Sequence, residues 1–93
     1  MLIPKTFQMN QMNKDTLETI YSHTLRNRKE LEASCNCGCA GCRTIFPAAE
    51  TVKWADEGQT GICPYCGTDA LVGDAAGWQL TTELLEELND LYF

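Results

Sequence analysis

From Asn13 onward the apolar positions follow a helical rhythm. Leu17, Ile20, Tyr21, Thr24 and Leu25 fall at i, i+3, i+4, i+7 and i+8, the stripe that one face of a helix presents to a core. Asn13 suits the N-cap, and Asp15 in the first turn suits the positive end of the helix dipole. A second start is legible at Asn27, which stands three residues before Glu30 in capping-box spacing, so residues 14–33 read as one helix or two. Residues 34–42, SCNCGCAGC, are too rich in Cys and Gly to suggest regular structure. Ile45 and Phe46 are an apolar pair. Pro47 fits the first position of a helix continuing to Ala55, with Val52 facing inward and Gly58 ending it. Gln59–Ile62 and Ala70–Val72 read as short strands, and Gly73–Gly77 as a turn. The last element is the clearest: Thr81 or Thr82 caps a helix whose Leu84, Leu85, Leu88, Leu91 and Tyr92 form one stripe. Glu83, Glu86, Glu87 and Asp90 lie off it. The pattern predicts an α+β domain over residues 13–93, preceded by an irregular arm over residues 1–12.

Length sharpens this picture. A core built from 93 residues is only marginally stable, and chains of this size commonly need a staple. Six cysteines offer one. Disulfides require an oxidising compartment. The start of the chain, MLIPKTFQMNQMNKD, has no apolar run of signal-peptide length, and no stretch is long enough to span a membrane. The expectation is therefore a cytoplasmic protein, where clustered cysteines bind metal more often than they form disulfides.

Cys39-Ala-Gly-Cys42 and Cys63-Pro-Tyr-Cys66 form a C-x2-C-x20-C-x2-C pattern, the spacing of a four-cysteine zinc site. A two-residue spacer lets both sulfurs of a pair reach one ion, and two pairs complete a tetrahedron with no open position. The expected cofactor is Zn2+, held by Cys39, Cys42, Cys63 and Cys66. Gly67 suits the left-handed end of the second turn; Arg43 occupies the matching place in the first. The Cys63–Gly67 turn is also similar to one half of a rubredoxin iron site, although Arg43 and the long charged spacer depart from that pattern. Cys35 and Cys37 are surplus. They read as free thiols beside the site, as a CxC redox pair, or, for Cys37, as a competitor of Cys39.

The segment CGCAGCRTIF, the run W-x-D-E-G-Q-T-G-I-C-P-Y-C-G, the turn G-D-A-A-G-W-Q-L-T and the stretch Ser22–Glu30 together resemble a family of small bacterial and phage cytoplasmic proteins of zinc-ribbon type. The likeness spans most of residues 17–93. It implies a cytoplasmic metal-binding domain and carries no activity with it. Cys35, and Gly41 where an aromatic residue is expected, depart from the pattern.

Charge bears on partners. The net charge is -6, and from Cys63 to Phe93 there are six carboxylates and no Lys or Arg. Such a chain disfavours phosphate backbones. The expectation is a non-catalytic adaptor whose acidic last helix, with exposed parts of residues 48–55 including Trp54, engages a protein partner. Arg26, Arg28, Lys29 and Arg43 could instead make a small basic patch for nucleic acid. An enzyme would have to use His23, the only histidine, with Arg28 or Asp74. His23 on an amphipathic helix reads more simply as a hydrogen-bonded structural residue, Asp74 as a turn residue bonding its own backbone, and Trp54 and Trp78 as core packing against the cysteine pairs.

Overall fold

The computed structural model describes residues 14–93; the arm and the Asn13 cap lie outside the described residues. Residues 14–33 form two short helices, α1 (Lys14–Ser22) and α2 (Arg28–Ala33). Leu17 and Ile20 are buried as the spacing requires, but Leu25 is 55% exposed. The reason lies in the link between the helices. The Thr24 hydroxyl donates to the Tyr21 carbonyl at 2.8 Å, and Arg26 takes a left-handed φ of 47°, so the chain has left the helix before position i+8.

Asn27 precedes α2, yet its side chain makes no cap hydrogen bond. It is buried and ties three elements together: Nδ2 donates to the carbonyls of His23 (2.9 Å) and Leu71 (2.8 Å), and Oδ1 accepts from the Gly61 amide (3.1 Å). A buried amide that meets backbone groups of three separate segments satisfies polar atoms that would otherwise be stranded in the core.

The segment that looked irregular holds the central strand of the larger sheet. Strand β1 (Asn36–Cys39) lies between β2 (Ile45–Pro47) and β5 (Leu71–Gly73), both antiparallel to it, in the sheet order β2-β1-β5. Its register places Cys37 opposite Phe46 and Gly73, and Cys39 opposite Leu71. Gly38 is required by a close approach: a Cβ there would sit 2.9 Å from Leu85 Cδ1.

The helix expected over Pro47–Ala55, between the two cysteine pairs, is not formed. Pro47 closes β2, Ala48–Glu50 make one 3-10 turn, and the chain extends again into β3 (Lys53–Ala55), paired with β4 (Thr60–Ile62). Val52, expected to face inward, is 71% exposed. Two local features outweigh the Pro47 signal. Thr51, Val52 and Trp54 prefer extended backbone. Asp56, Glu57 and Gly58 take φ of 52°, 62° and 86°, a left-handed run that turns the chain back as a hairpin.

The final helix, α3 (Thr82–Tyr92), starts where its cap predicts: Thr81 Oγ1 accepts from the Leu84 amide at 3.0 Å. Leu84, Leu85 and Leu88 are buried, while Leu91 is 48% exposed. Tyr92 stacks on Tyr21 of α1, with ring centroids 4.1 Å apart. The core thus lies between the three-stranded sheet and the helices, with Ile20, Leu31, Leu71, Val72, Leu85 and Leu88 at its centre. Both tryptophans are partly buried against this core, on its helical side. Trp54 lies under the Arg28 guanidinium at 4.5 Å, and Trp78 meets the edge of His23 at 4.9 Å.

Candidate metal centre

The Sγ atoms of Cys39, Cys42, Cys63 and Cys66 all lie within 4.8 Å of one another. Cys39 and Cys66 are 3.5 Å apart, and Cys42 and Cys63 are 3.8 Å apart. A tetrahedron with metal–sulfur bonds of about 2.3 Å has edges of about 3.8 Å, so the spacing fits one ion at the centre. It is far from the ~2.05 Å of a disulfide; all six cysteines are free.

The two pairs are built alike. In the first turn the Cys39 amide donates to the Thr44 carbonyl, and the Arg43 amide to the Cys39 carbonyl. In the second the Cys63 amide donates to the Thr68 carbonyl, and the Gly67 amide to the Cys63 carbonyl. Arg43 (φ 64°) takes the left-handed conformation that Gly67 (φ 82°) takes in the other turn. The missing glycine therefore changes the strain and not the geometry. In each turn a backbone amide points at the leading sulfur: Gly41 N to Cys39 Sγ and Tyr65 N to Cys63 Sγ, both 3.3 Å.

Thr44 and Thr68 were not singled out from the sequence, although each stands two places after the second cysteine of its pair. The Thr44 hydroxyl lies 3.2 Å from Cys42 Sγ. The Thr68 hydroxyl lies 3.2 Å from Cys66 Sγ and 3.4 Å from Cys39 Sγ, bridging the pairs. A thiolate can only accept, so both hydroxyls donate when the cysteines are ionised. Gly41 is explained by the same threonine. A Cβ there would stand 2.7 Å from Thr68 Oγ1, so the aromatic residue expected from the resemblance would displace the bridge.

The cluster is held from two sides. Asn89 of α3 donates to the Ala40 carbonyl at 2.8 Å, fastening the first turn to the last helix. Buried Phe46 meets Tyr65 edge-on at 5.2 Å, and the Tyr65 hydroxyl bonds Glu50, fastening the second. Exposed Ile45, its expected companion, takes no part in the core.

Burial sets the acid–base character of the metal-free cluster. It pushes the Cys39 thiol up to about 12, against hydrogen bonds from Thr68 and backbone amides. It raises Cys63 in the same way. At Cys66 burial also acts upward, but the Thr68 hydroxyl and amide and the neighbouring sulfurs outweigh it and bring the thiol down to about 7. Cys37 stands apart from the four: burial raises it to about 11, and its sulfur lies 3.8 Å from the Thr51 hydroxyl. Cys35 is exposed. The geometry thus selects Cys39 over Cys37 for the cluster.

The other candidate residues are not gathered into a site. His23 Nδ1 lies 2.9 Å from Glu30 Oε2, a pairing within the helical half. The Asp74 carbonyl accepts from the Gly77 amide within its own turn (3.1 Å), but its side chain reaches out: the two carboxylate oxygens accept from the amides of Cys35 (3.0 Å) and Asn36 (3.1 Å), clamping the start of β1. Arg28 bonds Glu32 and the Gly58 carbonyl, both at 3.0 Å, while it covers Trp54. Among the described residues no helix is long and apolar enough to cross a membrane. Comparison with known proteins finds no family model, no curated protein and no solved structure that matches the chain.

Proposed function

We propose that Cys39, Cys42, Cys63 and Cys66 hold one zinc ion as a structural staple, and that the domain is a cytoplasmic, non-catalytic adaptor of zinc-ribbon type. The observation that carries the metal reading is the pair of equivalent turns, with four sulfurs at tetrahedral spacing and amides and threonine hydroxyls aimed at them. Such a site has no open position, so it stabilises a fold and does not activate water. Zinc suits four thiolates with two-residue spacers, and iron in the rubredoxin manner is the competing ion. A structural zinc ion is worth about 10 kcal/mol or more of apparent binding energy, comparable with the whole stability of a small domain.

The adaptor reading rests on what the polar side chains do. Of the groups an enzyme would need, His23 is paired with Glu30, and Asp74 is spent on backbone amides. Of the basic cluster, Arg28 is engaged on Trp54, Glu32 and Gly58, which leaves few cations for a phosphate backbone. Glu83, Glu86 and Asp90 line the exposed side of α3 and would steer a partner with a basic surface.

Metal analysis of purified protein tests the first half: one zinc per chain is expected, and a red, iron-containing sample would move the assignment to iron. Binding to single- and double-stranded DNA and RNA at roughly 150 mM salt tests the second. Submicromolar affinity that disappears in an Arg26/Arg28/Lys29 triple alanine variant would replace the adaptor with a nucleic-acid-binding domain.

A further inference from the structure

The two turns of the cluster are alike in backbone but not in cover. The first is enclosed: Cys39 and Ala40 are buried, Gly41 and Cys42 are half-buried, and Asn89 of α3 closes over the Ala40 carbonyl. The second faces solvent, and every residue from Pro64 to Asp69 is exposed. A Cβ placed on Gly67 would meet nothing within 4 Å, so the space beside Cys66 is open. Cys66 is the one exposed member of the four, and Cys39, buried behind it, supplies a sulfur only 3.5 Å away. An accessible sulfur backed by a buried one is the arrangement in which the outer sulfur is oxidised and the inner one resolves it.

We propose that Cys66 is an oxidative modification site, and that a peroxide converts Cys66 and Cys39 into a disulfide that ejects the metal. The inference rests on the zinc reading above. The reaction is a two-electron oxidation. The Cys66 sulfur attacks one peroxide oxygen and the O–O bond breaks, leaving Cys66 as a sulfenic acid and hydroxide as the leaving group. The Cys39 sulfur then attacks the Cys66 sulfur, the S–O bond breaks and a second hydroxide departs. Two protons from solvent turn both hydroxides into water. The peroxide has gained the two electrons that the two sulfurs lost. The ion retains only Cys42 and Cys63, too few for a closed four-thiolate site, and leaves. Fold and metal are thereby switched together, because the same four sulfurs join the three-stranded sheet to the second turn.

Thr68 distinguishes this route from general thiol damage. Its hydroxyl stands 3.2 Å from Cys66 Sγ and 3.4 Å from Cys39 Sγ, on both sulfurs of the reacting pair, whereas Thr44 stands beside Cys42 on the enclosed side. A hydrogen bond to a thiolate holds back its electron pair, so its loss speeds attack on the peroxide.

The experiment treats zinc-loaded full-length protein with excess hydrogen peroxide. Metal release is followed with a chromogenic chelator, and disulfides are mapped by mass spectrometry at the earliest times. One zinc is expected to leave as a Cys39–Cys66 bridge appears. Thr68→Val is expected to speed release about three- to tenfold, the range set by one ordinary hydrogen bond, and Thr44→Val, which strips a bond from a sulfur outside the reacting pair, to speed it less. Cys35→Ser, which removes the other exposed thiol, is expected to release at the wild-type rate. A first bridge joining Cys42 to Cys63 or Cys63 to Cys66, release abolished by Cys35→Ser, equal effects of the two threonine variants, or zinc retained under peroxide would each overturn the proposal. Protein that holds no zinc before peroxide is added would overturn the metal reading beneath it.

Discussion

Asn27 offers the sharpest test of how this small core is held together. The residue is 5% exposed, and its side chain joins the α1–α2 link to both sheets. Asn27→Ala deletes all three of its hydrogen bonds. The His23 carbonyl is in a half-buried residue and can turn to water. The Gly61 amide and the Leu71 carbonyl belong to buried residues and cannot. Each stranded backbone group costs about 1–3 kcal/mol, so the variant is expected to lose about 4 kcal/mol. That is a large share of the ~5–15 kcal/mol available to a domain. For a chain of this size it corresponds to a fall in Tm of roughly 16–32 °C. Asn27→Asp should be no milder. It keeps an acceptor for Gly61 but points carboxylate oxygen at two carbonyls where the amide donated. The assay is thermal and urea unfolding of metal-loaded protein, with metal content checked before each run so that the cluster is not the variable. A loss below about 1 kcal/mol, with metal retained, would refute the reasoning, because it would mean that water reaches Gly61 and Leu71 and that Asn27 is not a buried junction.

Ligand and non-ligand cysteines should separate cleanly: Cys63→Ser is expected to abolish zinc retention and unfold the middle of the chain, while Cys35→Ser keeps about one zinc per chain. Equal metal loss in both would show that the ligand set is wrong. Zinc affinity is expected to fall as pH falls, because the raised thiols of Cys39 and Cys63 must surrender protons to the ion. With at least two protons displaced, the apparent Kd should change by about a hundredfold or more per pH unit near neutrality, and a pH-independent Kd would contradict it. In metal-free protein the upward shifts of Cys39 and Cys37 act in the opposite sense. They contribute stability that is complete below the ordinary thiol value of 9.0 and is lost as pH rises towards about 12, so any residual apo structure should weaken in alkali. Gly41→Ala is expected to weaken zinc binding measurably, since its Cβ would meet Thr68 Oγ1 at 2.7 Å. An overpacking cost of about 1–3 kcal/mol is the scale to look for in a chelator competition, and unchanged affinity would show that Thr68 is free to move.

Several features were legible in the chain because their causes are local. The C-x2-C pairs bring two sulfurs together within one turn, whatever the rest of the molecule does. The Thr81 cap, the leucine stripe of α3 and the strand feeding Cys63 likewise depend on neighbours a few residues away. The helix expected over Pro47–Ala55 failed for a related reason. Pro47 is as compatible with the end of a strand as with the start of a helix, and only the pairing of Ile45–Pro47 with β1 decides between them. The hairpin turn at Asp56–Gly58 was the local signal that could have corrected it.

By itself, then, the sequence determined the four sulfurs, the two turns that present them and the amphipathic last helix, since each is a matter of spacing along a short stretch. Tertiary structure decided the rest. It made a strand of the Cys- and Gly-rich segment, because Gly38 and Gly73 let Leu85 and Ser34 approach the sheet more closely than any side chain there would allow. It turned Asn27 from a helix cap into a buried junction, and Asp74 from a turn residue into the clamp on β1. It placed Thr68 between two cysteines 29 and 2 residues away, and left Cys66 as the exposed corner of an otherwise covered cluster. These are consequences of long-range pairing, in which a side chain's partners are chosen by the packing of distant segments, and no local pattern encodes them.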